Sequence, residues 1–150
     1  MTAETRPAAV TEYGYHDSHF VHFDDLDSLG MVHNARYQIL VERTLTDFWE
    51  SRGYTFANGA ATHPDTFVAV ASYSIGFMAP VLGTGTVRVH LWVEKFGKSS
   101  VTYGFRVLSG DHATVHAEGT RVHIRLDRDT MRSAPWAEDT RAIYASMQPG

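Results

Sequence analysis

Asp25 and Asp27 stand two residues apart in the stretch Asp24-Asp25-Leu26-Asp27-Ser28-Leu29-Gly30, and His33, Asn34 and Tyr37 follow shortly after. A carboxylate at such a place can attack a carbonyl carbon or take a proton from water. If a helix begins near Asn34, its first N–H groups have no partner inside the helix and carry the positive end of its dipole. They would stabilise an oxygen that gains negative charge. The bland alternative for Asp27 is a turn former, since Asp bonds nearby backbone. Asp25, the rival carboxylate, would lie on the same side of an extended chain and reads better as a bond to local backbone. Asp24 reads as solvated.

A second cluster is basic. Lys95, Lys98 and Arg88 fall around the turn Phe96-Gly97-Lys98, and Ser99 and Ser100 follow. Lys is a suitable point charge for a phosphate, although surface lysines also keep hairpins soluble. Glu42 is a further candidate acid, read here as a helix-surface charge paired with Arg43 or Arg36. His112 and His116 have a spacing that suits a metal only on a helix. Their segment reads as turn and strand, so no metal site is expected. His19 and His22 should face opposite sides of a strand. No cysteine is present, which removes disulfides, thiolate metal sites and a thiol nucleophile.

These residues need elements to hold them. Asn34 to Arg52 carries Tyr37, Leu40, Val41, Leu45, Phe48 and Trp49 at the three-four spacing of one apolar helix face. Asn34 is the expected cap, and Gly53 the expected stop. Strands are expected over His16 to Asp24, Phe67 to Met78, Val87 to Phe96, Val101 to Leu108 and Thr114 to Leu126. In the third of these, Val87, Val89, Leu91 and Val93 form one face, and Arg88, His90, Trp92 and Glu94 the other. Short turns between the later strands imply antiparallel pairing. A short helix is expected within Pro135 to Gln148. Tyr54 to Thr66 reads as a mobile loop, where Phe56, Phe67 and Tyr73 either line a pocket or join the core. The sum is an α+β domain: one long helix on a five-stranded antiparallel sheet.

The chain has 150 residues, enough for one domain with a real core. Residues 1–12 read as a flexible arm and 13–150 as a single domain. Met1 to Val10 holds Glu4 and Arg6 and no apolar stretch, so no secretory signal is expected there. No apolar run is long enough for a membrane span. The net charge of -4 argues against a general nucleic-acid binder. A cytoplasmic location is the default expectation.

The run from Val21 to Tyr37 resembles the signature of the 4-hydroxybenzoyl-CoA thioesterase family: a strand, Asp-x-Asp-x-x-Gly, a short linker, then Asn-x-x-Tyr at the start of the long helix. Asp25, Asp27, Gly30, Asn34 and Tyr37 fit it, and the order of elements from about His16 to Leu126 fits too. The resemblance implies the hotdog fold and hydrolysis of an acyl-CoA thioester. It implies Asp27 as nucleophile or general base, and the backbone N–H near Asn34 polarising the carbonyl. Gly30 and Tyr37 would border the substrate. His33, six residues after Asp27 and close to the helix start, reads on its position either as a pocket residue that bonds the substrate or as an interfacial or exposed histidine. Lys98, with Ser99 and Ser100, would hold the nucleotide and phosphates of coenzyme A. No metal or cofactor is called for. It further implies homodimers joined edge to edge, often paired into homotetramers, with each site near the subunit interface.

Other readings keep the fold and change the chemistry. A hydratase or dehydratase would pair a histidine with an acid at a different spacing from Asp27 and His33. A non-catalytic module binding acyl-CoA or acyl-carrier protein would keep the pocket and basic turn without needing Asp27. An unrelated α+β ligand-binding cone would begin with several helices. An acyl-carrier-protein thioester is a second possible substrate, and the acyl group is left open between aromatic, short and medium chains.

Overall fold

The computed structural model describes residues 13–150; the arm expected over residues 1–12 lies outside them. Five strands form one antiparallel sheet in the order β1-β5-β6-β7-β4: β1 (Tyr15–Val21), β4 (Val68–Phe77), β5 (Gly85–Phe96), β6 (Ser100–Ser109) and β7 (Val115–Arg125). The helix α1 (Arg36–Ser51) packs on one face of this sheet, and α2 (Glu138–Ser146) follows near the C-terminus. This is the expected hotdog arrangement.

Periodicity explains why these elements form. On α1 the residues Tyr37, Leu40, Val41, Thr44, Leu45 and Phe48 are buried. On β5 the alternating Val87, Val89, Leu91 and Val93 are at most 2% exposed. Each such side chain contributes roughly 1.5–3 kcal/mol on burial, so the facing stripes fix where the helix lies. The other face of β5 departs from the simple alternation. His90 is buried there, stacked on His16 at 4.1 Å and bonded to the Tyr13 carbonyl.

Three local expectations need correction. The first strand stops at Val21 rather than Asp24, because Phe23–Asp25 closes a turn in which the Asp25 N–H donates to the His22 carbonyl. Asp25 and Asp27 therefore do not share an extended chain. The loop from Tyr54 to Thr66 contains a small hairpin, β2 (Phe56–Ala57) with β3 (Ala60–Ala61). Its two corner residues, Asn58 and Gly59, both have positive φ, as a tight hairpin turn requires. Phe56 is 61% exposed, so it is not core.

α1 also starts two residues later than expected, and Asn34 is not its cap. Ala35 is the cap residue, and His33 bonds the first backbone groups instead. Its Nδ1 accepts from the Ala35 N–H at 3.1 Å, and its carbonyl accepts from the Arg36 N–H at 2.8 Å. The C-terminal end follows the sequence: Gly53 sits just beyond Arg52 with φ of 85°.

Candidate active site

Between β1 and α1 the chain makes a tight turn around Asp27. The Asp27 N–H donates to the Met31 carbonyl at 2.7 Å, and the Gly30 N–H donates to the Asp27 carbonyl at 3.1 Å. Gly30 has φ of 76°, and a Cβ there would meet nothing within 4 Å. The turn needs glycine for its backbone angle, then, and not for space. The turn is fastened to the segment before β5 by Val32 N–H to the Val81 carbonyl and Gly83 N–H to the Gly30 carbonyl.

This turn holds the Asp27 carboxylate by one oxygen. Oδ1 accepts from the Leu29 N–H at 2.8 Å and from the Met31 N–H at 3.1 Å. Oδ2 takes no hydrogen bond from the described residues. The side chain opens on a cleft of about 360 Å³, lined also by Met31, His33, Asn34, Tyr37, Phe77 and Met78. Tyr37 is buried and meets Phe77 edge to face at 5.1 Å. The Asn34 N–H has no acceptor among the described residues and lies in the same wall. His33 Nδ1 accepts from Ala35, so the neutral ring carries its proton on Nε2. A carboxylate with one bare oxygen, an unpaired amide and an imidazole donor thus border one cleft.

Asp25 is a different kind of residue. It is 8% exposed, accepts from the His22 N–H at 2.8 Å and lies 3.8 Å from Arg36 Nε. One oxygen serves the backbone, as the sequence suggests, and the other faces the Arg36 guanidinium.

The profile described as "Thioesterase superfamily" matches residues 29–116. The chain belongs to the thioesterase superfamily. The matched span takes in Gly30, His33, Asn34, Tyr37 and the Lys98 turn, and it begins just after Asp27. A curated relative of this superfamily member, YneP of Bacillus subtilis (strain 168), is 20% identical over 112 residues, covering 75% of this chain and 79% of the relative. It is named as a candidate acyl-CoA thioesterase. The PA5185 protein of Pseudomonas aeruginosa superposes with a TM-score of 0.80 at 24% identity, over 92% of this chain and 94% of that one. A thioesterase of Thermus thermophilus, complexed with coenzyme A and Zn, gives 0.74 at 22% identity over 91% and 95%. At these identities the superpositions establish the fold.

Not every expected residue of this superfamily member lies at the cleft. Gly30 shapes the turn without lining it. Lys98, Ser99 and Ser100 sit at the other end of β5, roughly 35 Å along the strand from the Asp27 end. The carbonyls of Lys98 and Ser100 accept from the Trp136 N–H and Nε1–H, and that of Ser99 from the Arg125 N–H. The Lys98 side chain is exposed and makes no ion pair among the described residues. Arg88 does not belong to that turn. Seven residues of extended strand separate it from Phe96, and its Nε donates to the Gly110 carbonyl at 3.0 Å.

Glu42 also needs correction. It pairs with neither Arg43 nor Arg36; its Oε1 accepts from Arg121 Nη2 at 2.8 Å. Arg121 is 4% exposed and its Nε donates to His123 Nε2 at 2.8 Å. Burial, then the neighbouring Arg121, lower the His123 pKa to about 4. Sequence reasoning missed this chain of contacts. The only available signal was the i, i+2 spacing of two cationic residue types on a strand face that should be apolar.

No helix among the described residues is long and apolar enough to cross a membrane. His112, in a positive-φ turn, and His116, bonded to the Ala79 carbonyl, do not form a metal cluster among the described residues.

Proposed function

We propose that this chain hydrolyses an acyl-CoA thioester at the Asp27 cleft. One observation carries the reading: Asp27 has one oxygen pinned by two backbone amides and the other bare, facing a cleft that also holds an unpaired amide at Asn34. The bare oxygen either attacks the thioester carbon, giving a mixed anhydride that water then opens to the free acid and the restored Asp27 carboxylate, or draws a proton from the water that attacks the thioester carbon directly. The developing oxyanion takes the Asn34 N–H, aided by the positive end of α1. His33 and Tyr37 border the reacting group, and the thiol leaves as coenzyme A. The coenzyme-A complex of the similar Thermus thioesterase supports a CoA thioester over other donors.

The proposal includes a homodimer. β4 is an edge strand, paired only with β7 among the described residues. Val68, Val70, Phe77 and Met78 on it and beside it are 36–59% exposed. Such an edge needs cover, and two-fold pairing with a second β4 supplies it. Antiparallel pairing sets the Val68 end of one chain beside the Phe77 end of the other. The Lys98 turn shares the Val68 end, since Ser100 pairs with Ile124 and Val68 with Arg125. One chain's Lys98 then faces the other chain's Asp27 cleft.

The test is a thiol-release screen across aromatic, short and medium acyl-CoAs, with Asp27→Asn as the control. Wild-type turnover that falls at least about 100-fold in Asp27→Asn supports the reading. Equal turnover in both proteins sinks the role of Asp27. Tight binding of acyl-CoA without release favours a binding module.

A further inference from the structure

At the C-terminal half of α1 lies a second cavity, of about 200 Å³, between that helix, the start of β4 and α2. Its walls are mostly apolar and aromatic: Leu45, Trp49, Tyr54, Val68, Tyr103 and Tyr144. His123 is the exception of interest. It is 8% exposed, on β7, and lines the cavity. Its Nε2 meets Arg121 Nε at 2.8 Å. A guanidinium can only donate, so Nε2 is the acceptor and the neutral ring must carry its proton on Nδ1. Burial keeps the ring neutral, with a pKa lowered to about 4. Arg121 cannot turn away, because Glu42 holds its Nη2 and the Tyr73 ring lies 5.9 Å from its Cζ.

The Nδ1–H has no acceptor among the described residues. Nδ1 keeps accessible surface, so its N–H is free to donate to an oxygen placed in the cavity, where water would otherwise serve. The cavity offers nothing to an anion. Asp65, in the same wall, is already bonded to Arg125, Thr140 and the Ala137 N–H. Thr66 Oγ1, also in the wall, is buried without a partner. The site therefore suits a neutral, largely apolar group of aromatic size that carries one oxygen acceptor.

We propose that this cavity receives the far end of the acyl group, and that His123 Nδ1–H selects acyl groups bearing a neutral oxygen acceptor there. The assignment rests on the thioesterase reading above. Tyr37 borders the Asp27 cleft and Leu45 borders this cavity. They lie eight residues apart on the buried stripe of α1, or about 12 Å along the axis. An acyl group must span about that length to reach the cavity from the cleft.

The experiment has two arms. In the first, acetophenone and ethylbenzene are titrated into the full-length protein, followed by the NMR signals of the imidazole nitrogens. The His123 signals are assigned by their loss in His123→Gln. Acetophenone is expected to shift them and to bind about tenfold more tightly than ethylbenzene, the value of one hydrogen bond. His123→Phe should abolish that preference. His123→Gln should retain it, since its amide oxygen accepts from Arg121 and its N–H donates; both variants are checked for folding by circular dichroism. Equal binding of the two probes, or no response at His123, overturns the proposal. In the second arm, kcat/KM is compared for two phenyl-terminated acyl-CoAs, one with a ketone beside the ring and one with a methylene. Preference for the ketone, lost in His123→Phe, supports the proposal, and equal hydrolysis overturns it. If neither thioester is hydrolysed while acetophenone still marks His123, the thioesterase reading falls and the donor assignment stands.

Discussion

Asp27 and Asp65 are both carboxylates in short connections beside a strand, yet they do opposite things. Asp65 is 6% exposed, and both its oxygens are taken: Arg125 Nε at 2.7 Å on Oδ1, the Ala137 N–H and Thr140 hydroxyl on Oδ2. It joins β7, the loop before β4 and the segment leading into α2. Asp27 spends one oxygen on its own turn and leaves the other to a cleft. A carboxylate whose lone pairs are all used holds the fold together. One that is oriented but not exhausted is available to a substrate.

The contrast breaks most visibly at Asp65. Asp65→Ala leaves the Arg125 guanidinium, 16% exposed, without its partner. Losing one member of a buried pair costs about 3–5 kcal/mol, which lowers Tm on the order of 10 °C for a domain of this size. Thermal melts should show this, with turnover at low temperature preserved for an acyl-CoA too short to reach the second cavity, whose wall Asp65 shares. Asp27→Ala should do the reverse, with kcat down at least about 100-fold and Tm shifted by only a few degrees. If the two variants behaved alike, the division between structural and chemical carboxylates would fail.

This contrast was only half legible in the sequence. The Asp27 turn was readable because its parts are contiguous: Asp, Gly, the linker and the helix start lie within one short run, so spacing encodes geometry. α1 and the strands were readable because periodicity reports burial directly. Asp65 was not readable, since its partners Arg125 and Thr140 are 60 and 75 residues away. Glu42 and Arg121, 79 residues apart, fail for the same reason. Residue type favours Asn34 as a cap, whereas the turn brings the His33 ring over the Ala35 amide.

Titration gives a smaller and signed test. His90 and His123 are both pushed to about 4, mainly by burial, from an ordinary value of 6.5. The folded state favours their neutral forms, so their contribution is full above about pH 6.5 and is lost as pH falls toward 4. Asp17 runs the other way. Burial, then Asp47 beside it, raises its pKa from 3.8 to about 6. Its contribution is full below pH 3.8 and is lost as pH rises through about 6. Asp17→Asn mimics the protonated form. Solvent around this partly exposed pair weakens the repulsion, so the variant should be more stable by about 1 kcal/mol near pH 8, the energy of somewhat less than one pKa unit. Near pH 4 it should do little. Urea melts at the two pH values decide it; a loss of stability near pH 8 would mean the Asp17 and Asp47 carboxylates are not in conflict.

The smallest effect is expected at Lys98, and it concerns the two ends of the sheet. Within one chain the Lys98 turn is roughly 35 Å from the Asp27 end of β5, too far for one bound thioester to use both with ease. Across a β4–β4 two-fold the same turn approaches the partner's cleft. Lys98→Ala should raise KM for a CoA thioester about threefold with kcat unchanged, since an exposed lysine touching a remote phosphate contributes under 1 kcal/mol in ground and transition states alike. The effect should shrink in high salt and vanish for a pantetheine thioester, which lacks the nucleotide. Mixing subunits then separates the two geometries. In a hybrid of an Asp27→Ala chain with a Lys98→Ala chain, the surviving Asp27 belongs to the chain that lacks Lys98. If Lys98 serves its partner, that site still has the lysine of the other chain, and the hybrid shows wild-type KM at half the kcat per dimer. If Lys98 serves its own chain, the hybrid shows the raised KM.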